Sequence, residues 1–180
     1  MLRIIAGKYR SRKLIEPSKD TTRPTTDRAR EALFSSLQFE IENKTFLDLF
    51  AGSGAFCFEA LSRGAKSAIS VEKNREVFEI IKLNKEMLQE DNLQVFHSDA
   101  LSFLKNNLDK KFDFIYLDPP YAIVDVLCEC LNWITKFEMV NEGKIIVETN
   151  LEKLDCRLNN YEVFKIRRYG KIYFHFIAKK

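Results

Sequence analysis

The chain has no run approaching the roughly eighteen apolar residues that a membrane span requires. It also lacks any CxxC spacing and has only two histidines. The first absence argues against a spanning helix, and the opening MLRIIAGKYRSRK turns basic within a few residues of its apolar start, unlike a secretory leader. A cytoplasmic protein is expected. The four cysteines, Cys57, Cys128, Cys130 and Cys156, lack zinc-ligand spacing, and Cys128 and Cys130 stand i,i+2 on an expected helix, where side chains do not face one another. Neither a metal site nor a disulfide is therefore expected. His97 falls in a strand-like run and His175 in the tail, and both read as structural. Internal repeats and low-complexity segments are also missing.

What the chain does have is the makings of one core. With 180 residues, 46% of them apolar and 15 of them phenylalanine, it suits a single domain with small additions. The net charge is only +3 but unevenly spread. Residues 1–30 hold nine Lys and Arg against three Asp and Glu, residues 163–180 hold six against none, and the middle carries 14 against 23. Basic ends around an acidic body suit a polyanion approached by both termini, provided the fold brings them to one face. Arginine dominates these ends, with glycine and aromatic residues interleaved, which a solubilising lysine tail would not require.

Strand-like runs at 2–6 and 12–15, joined by a GKYR turn, read as a small hairpin extension over residues 1–22. The polar EPSKDTTRPTT stretch is the expected linker, and a second unit then occupies 23–180. A helix opens at Arg23-Pro24-Thr25-Thr26, capped by threonine, with Ala29, Ala32, Leu33 and Leu37 on its apolar face. Strands at 46–50, 67–71, 93–97, 112–117 and 144–148 then alternate with helices at about 54–63, 74–90, 99–107 and 124–137. Gly64 and Gly143 stand where helix stops belong. This alternation implies a parallel sheet with helices on both faces, and the helix-free tail at 161–168 and 171–178 implies an antiparallel hairpin. Such sheets bind ligands at the carboxyl ends of their strands, so the residues just after each strand carry the function.

After the first strand comes DLFAGSGAF, where Gly52 and Gly54 permit a tight turn and close backbone approach before a helix N-terminus. The third glycine of a dinucleotide fingerprint is missing, because Phe56 and Cys57 follow. Asp48 inside this strand is expensive to bury without a partner. Glu72, about 20 residues beyond the loop, is placed to accept hydrogen bonds from a ribose, and Asp99 either caps the next helix or reads an adenine amino group. These three acids suit a nucleoside cofactor, and NAD would fit them too. The fourth strand separates the choices by ending in DPPY, Asp118 to Tyr121. The amino group of a base is a poor nucleophile because its lone pair is delocalised into the ring. Acceptors at Asp118 and the Pro119 carbonyl can hold both its hydrogens, Pro119 and Pro120 make the turn rigid and donor-free, and Tyr121 offers a stacking face.

These motifs resemble those of class I S-adenosylmethionine-dependent methyltransferases, and more narrowly the RsmD family of 16S rRNA guanine-N2 methyltransferases. The resemblance covers almost the whole chain, through RIIAGKYRSRKL, RPTTDRAREALF, FLDLFAGSGAF, VEKN, FDFIYLDPPY and RRYG. It implies a Rossmann-like, mostly parallel seven-stranded sheet, and S-adenosylmethionine as cofactor. It further implies that Asp48, Phe50, Ala51, Gly52, Ser53 and Gly54 line the cofactor, with Glu72 and Lys73 at the ribose and Asp99 and Ala100 at adenine. Asp118, Pro119, Pro120 and Tyr121 would present the guanine. The RNA would meet Lys8, Arg10, Arg12, Lys13, Arg23, Thr25, Arg28, Arg167 and Arg168. The implied partner is 16S rRNA within a small-subunit particle, acted on by a monomer. Cys57, where glycine is common, and Lys171-Ile172 after RRYG depart from the family pattern. The alternatives are an adenine or protein-glutamine methyltransferase, a dinucleotide oxidoreductase, and a non-catalytic RNA-binding module.

Overall fold

Each strand-like run of the middle of the chain hands over to a helical one, and the computed structural model, which describes residues 1–18 and 25–180, follows that order. The elements are α1 (Asp27–Ser36), β1 (Thr45–Asp48), α2 (Ala55–Ser62), β2 (Ser67–Glu72), α3 (Arg75–Leu88), β3 (Leu93–His97) and α4 (Ala100–Lys105). They continue with β4 (Phe112–Leu117), α5 (Val124–Lys136), β5 (Val140–Thr149), β6 (Tyr161–Tyr169) and β7 (Ile172–Lys179). One seven-stranded sheet results, in the order β3-β2-β1-β4-β5-β7-β6. Strands β1 to β5 are mutually parallel, and β7 is antiparallel to both β5 and β6. Strand β6 therefore runs in the direction of β5, and its last residues, Arg167 to Tyr169, reach the same edge of the sheet as Asp48 and Leu117. The strand order reverses between β1 and β4, which opens the crevice at that edge.

Alternation along the strands gives two cores. Phe46, Ala68, Phe114, Tyr116, Ile146, Phe174 and Phe176 pack on one face against α1, α2 and α3. Leu47, Val71, Ile115, Leu117, Ile145, Val147 and Ile177 pack on the other against α4 and α5. Each fully buried Leu, Ile or Phe contributes about 1.5–3 kcal/mol, so both cores are substantial. The helices start where a side chain can satisfy an orphan N–H. Thr26 caps α1 at Ala29, Asn74 caps α3 at Val77, and Asp99 caps α4 at Ser102. In α1 the buried positions are Ala29, Arg30, Leu33 and Phe34, so a buried arginine takes the place expected for Ala32.

The N-terminal hairpin is a minimal one, with a single bridge between Arg3 and Lys13 and backbone bonds from Ile4 to Arg12 and from Leu14 to Leu2. Residues 1–18 lie along α2 and α3. Leu2, Ile4 and Leu14 enter the first core. Glu59 accepts the N–H groups of Ile5 and Ala6, and the Asn84 side chain bonds both N–H and C=O of Ile15. Gly7, at φ +84°, lies so close to the Ser62 carbonyl that a Cβ would stand 1.8 Å from its oxygen.

Two expectations fail. Gly143 is no helix stop: it lies within β5, where a Cβ would meet the Asp113 carbonyl oxygen at 1.5 Å, beside the β4–β5 register shift. The α5 pattern ends earlier, at Lys136, and β5 begins at Val140. The cysteines do form a disulfide, between Cys128 and Cys156, whose Cα atoms are 4.9 Å apart. Helical geometry separates Cys128 from Cys130, but the β5–β6 connection returns Cys156 to the first turns of α5. Cys57 and Cys130 are free and buried.

Candidate active site

The carboxyl edge of the sheet gathers one acid from each parallel strand: Asp48 at β1, Glu72 at β2, Asp99 after β3, Asp118 after β4 and Glu148 near the end of β5. Asp48 is 1% exposed and, among the described residues, accepts one N–H, that of Phe50, at 3.1 Å. Burial pushes its carboxyl up to about 8, the Phe50 N–H opposes the shift, and Glu72 and Glu148 add to it. An acid held so is costly to ionise and gains from any cation that comes close.

The loop from Leu49 to Gly54 is folded tightly over this acid. Leu49 N–H donates to the Tyr116 carbonyl, Ala51 N–H to Val71, and Gly54 N–H to Ala51 at 2.8 Å. Gly52 and Gly54 take φ of +53° and +77°, the left-handed region that other residues rarely occupy. A Cβ at Gly54 would also approach Ile81 and Phe58 to 3.1 Å. Phe50 and Ser53 are half-buried at the crevice, and Ala51 is buried. Phe56, where a dinucleotide site would want glycine nearby, stacks on Tyr116 with centroids 4.2 Å apart, and Cys57 is sealed against β2, its Sγ 3.4 Å from the Ile69 carbonyl.

Glu72 accepts the Gly52 N–H at 2.9 Å and the Asn74 N–H at 2.7 Å, and burial raises its pKa despite these bonds. It thus fixes the glycine loop from beneath. Lys73 is exposed, and its carbonyl lies 3.0 Å from His97 Nε2. Asp99 uses its carboxylate on the Ser102 hydroxyl and N–H, which hold it below the usual range, while Ala100 is buried behind it.

Across the crevice, Asp118 is half-buried, Pro119 buried, Pro120 exposed and Tyr121 half-buried. The turn is closed by Ile123 N–H donating to the Pro120 carbonyl at 3.0 Å. Beside it lies a residue that no sequence motif singles out. Glu148 is 2% exposed and accepts the hydroxyls of Tyr116 and Thr25, the latter at 3.0 Å from both carboxylate oxygens. Thr25 Oγ1 is also 3.5 Å from Asp118 Oδ2. A signal was available, because KIIVE ends its strand on a carboxylate as the other four strand ends do.

The basic residues divide. Arg10, Lys13 and Arg28 are exposed, Arg12 donates weakly to the Met87 carbonyl at 3.5 Å, and Lys8 is paired with Glu90 at 2.7 Å. Arg23 lies outside the described residues. Arg167 pairs across the hairpin with Phe174, on the face that also packs the N-terminal segment. Arg168 pairs with Tyr173 and so projects from the opposite face, its Nε bound to the Gly170 carbonyl at 2.9 Å. The two termini do share one side of the sheet. The tip carrying Lys8 to Arg12, however, binds at Ser62 and Glu90, near the far ends of α2 and α3. That end is one α2 length, about 12 Å, from the carboxyl edge.

A mostly parallel sheet with a reversed terminal hairpin, a glycine loop after β1 and an acid at each parallel strand end define a class I methyltransferase. The family model described as "Conserved hypothetical protein 95" matches residues 2–178. The curated ribosomal RNA small subunit methyltransferase D of Haemophilus influenzae is 35% identical over 178 residues, covering 94% of this chain and 89% of that protein. Its Escherichia coli K12 counterpart, of the same name, is 39% identical over 152 residues, covering 84% and 76%. Among solved structures, the yhhF protein of Escherichia coli superposes with a TM-score of 0.88 at 31% identity, over 99% of this chain and 98% of that one. The chain belongs to this family of conserved hypothetical protein 95, which includes the small subunit methyltransferases D. The resemblance carried by its motifs holds.

Proposed function

We infer that this chain transfers a methyl group to the exocyclic N2 of a guanine in 16S rRNA of the small ribosomal subunit. The observation that carries the reading is the pairing, across one crevice, of a left-handed glycine loop over buried Asp48 with the Asp118-Pro-Pro-Tyr121 platform. The names of the family's curated members support the substrate class.

The residues fit S-adenosylmethionine. Asp48, buried with one N–H donor among the described residues, suits a cationic ligand, left-handed Gly52 and Gly54 turn the backbone tightly at the crevice, and Glu72 and Asp99 are acids at the adjoining strand ends. When bound, that cofactor supplies a methyl group already activated by a sulfonium, so the protein's task is alignment more than acid–base power. Asp118 and the Pro119 carbonyl hold the two N2 hydrogens and free the lone pair. Tyr121 stacks on the extruded base, a contact worth roughly 1–3 kcal/mol. Asp118 then stabilises the positive charge that develops on N2 and is placed to take up its proton.

Arg167 at the carboxyl edge and the N-terminal arginines on the same side would hold phosphates of the flanking RNA. Direct titration with S-adenosylmethionine and transfer of its labelled methyl into naked 16S rRNA or assembled small-subunit particles test the reading. Saturable cofactor binding with label in either RNA form is expected. Binding with transfer to neither RNA form would overturn the substrate assignment.

A further inference from the structure

Strands β6 and β7 are joined by a two-residue turn, Gly170-Lys171, closed by the Tyr169–Ile172 pair, with Gly170 at φ +62°. So short a turn fixes the register, and side chains on the two strands then meet in cross-strand pairs. On the face away from α1, the pair next to the tip is Arg168 and Tyr173. The Arg168 guanidinium lies over the Tyr173 ring, 5.5 Å from its centroid, while its Nε donates to the Gly170 carbonyl at 2.9 Å. These two contacts hold a planar cation over an aromatic ring. Core packing does not account for the pair. Arg168 is exposed and Tyr173 only half-buried, whereas Phe174 to Ile177 beyond it are all buried. A Cβ at Gly170 would meet nothing within 4 Å among the described residues, so the tip is open to a ligand.

Its position tells which ligand the pair meets. Tyr173 also pairs with Thr149, the last residue of β5, and β5 lies beside β4, whose end leads into the Asp118–Tyr121 turn. Two strand spacings, about 10 Å, therefore separate Tyr173 from that turn along the carboxyl edge. Residues 163–180 carry six Lys and Arg and no acid, so a polyanion is attracted to this end of the sheet. A ring topped by a guanidinium suits a nucleobase, because every base has a π-face and its backbone brings the negative charge. We propose that Arg168 and Tyr173 form a stacking plate for an unpaired base of the RNA, next to the base extruded at the Asp118–Tyr121 turn. This deepens the methyl-transfer reading and rests on it. Arg167, on the opposite face, keeps its phosphate role, so adjacent arginines of one strand hold different parts of the same RNA.

The test compares two labelled single strands by fluorescence anisotropy with the full chain: oligo-adenosine, and an abasic strand of the same length and charge. The wild type should bind oligo-adenosine the more tightly. Tyr173→Leu should weaken that binding about tenfold, within the range for one base–aromatic stack. It should leave the abasic strand, and the slope of affinity against salt, unchanged. Tyr173→Phe keeps the ring and should bind as the wild type does. Arg168→Lys keeps the charge without the plane and should weaken oligo-adenosine more than the abasic strand. A pair that merely braces the hairpin predicts a lower melting temperature in Tyr173→Leu with both strands weakened alike. That result, or a Tyr173→Leu protein that binds oligo-adenosine as the wild type does, or a wild type indifferent to the bases, would overturn the proposal. None of these readouts needs methyl transfer, so this inference and the methylation reading can fail separately.

Discussion

Two buried carboxylates on the same side of the sheet are treated in opposite ways. Glu59, in α2, is fully buried and surrounded by donors: the N–H groups of Ile5 and Ala6, Arg63 Nε at 2.8 Å, and Arg30 Nε at 3.9 Å. Asp48, at the end of β1, is as deeply buried and receives one N–H from the described residues. The first acid is saturated by the protein itself and serves to dock the N-terminal segment. Among the described residues the second keeps capacity that burial makes expensive, which fits the proposed place beside a cationic ligand as the first fits a structural ion pair.

The largest effect that would break this contrast is at the platform. Asp118→Ala should lower methyl transfer by about a thousandfold, in the range of a lost charge-stabilising group, with cofactor affinity within a small factor. Filter-bound label and calorimetry read the two quantities. Next, Glu59→Ala should destabilise the fold by about 3–5 kcal/mol by leaving Arg63 and the Ile5 and Ala6 N–H groups without their buried acceptor, measured by urea unfolding, while activity per folded molecule survives. Asp48→Asn should do the opposite. It should weaken cofactor binding about tenfold, as loss of a charged hydrogen-bonding partner does, without destabilising the fold.

The sign of the pH dependence follows from Asp48. Its folded pKa of about 8 lies above an unfolded value of about 3.9, so the folded state binds the extra proton. Its contribution is most favourable below about pH 4, declines as pH rises to about 8 and is flat beyond. Wild type and Asp48→Asn should melt together at pH 6 less closely than at pH 4, and by pH 9 the variant should melt roughly 5 °C higher. Equal melting curves at every pH would show Asp48 to be better satisfied than its single N–H implies. The smallest effect is expected at the far end of α2. Arg10→Ala with Arg12→Ala should weaken RNA binding a few-fold and reduce the salt slope by about 0.7 for each phosphate left without its arginine, with kcat unchanged.

The fold was largely legible because its signals are local. The alternation of apolar runs, the Thr26 and Asp99 caps and the DPPY strand end each occupy a few consecutive residues. What was not legible depends on residues distant in sequence. Gly143 is required by the Asp113 carbonyl, Cys128 finds Cys156, and Arg30 is buried against Glu59. None of these partners can be read from its neighbour's surroundings. Glu148 is the instructive case, since its place at a strand end was visible while its bond to Thr25, 123 positions away, was not. Likewise, charge counting grouped Arg167 with Arg168, and only the β6–β7 register separates them onto opposite faces.

The central claim, that the carboxyl edge of this sheet methylates a guanine amino group, is tested most directly by nucleoside mass spectrometry. Small-subunit rRNA lacking the modification would be treated with the wild-type protein or Asp118→Ala in the presence of S-adenosylmethionine, then digested. The account predicts N2-methylguanosine at one defined site with the wild type and essentially none with the variant. Methyladenosine, or N2-methylguanosine undiminished by Asp118→Ala, would contradict it.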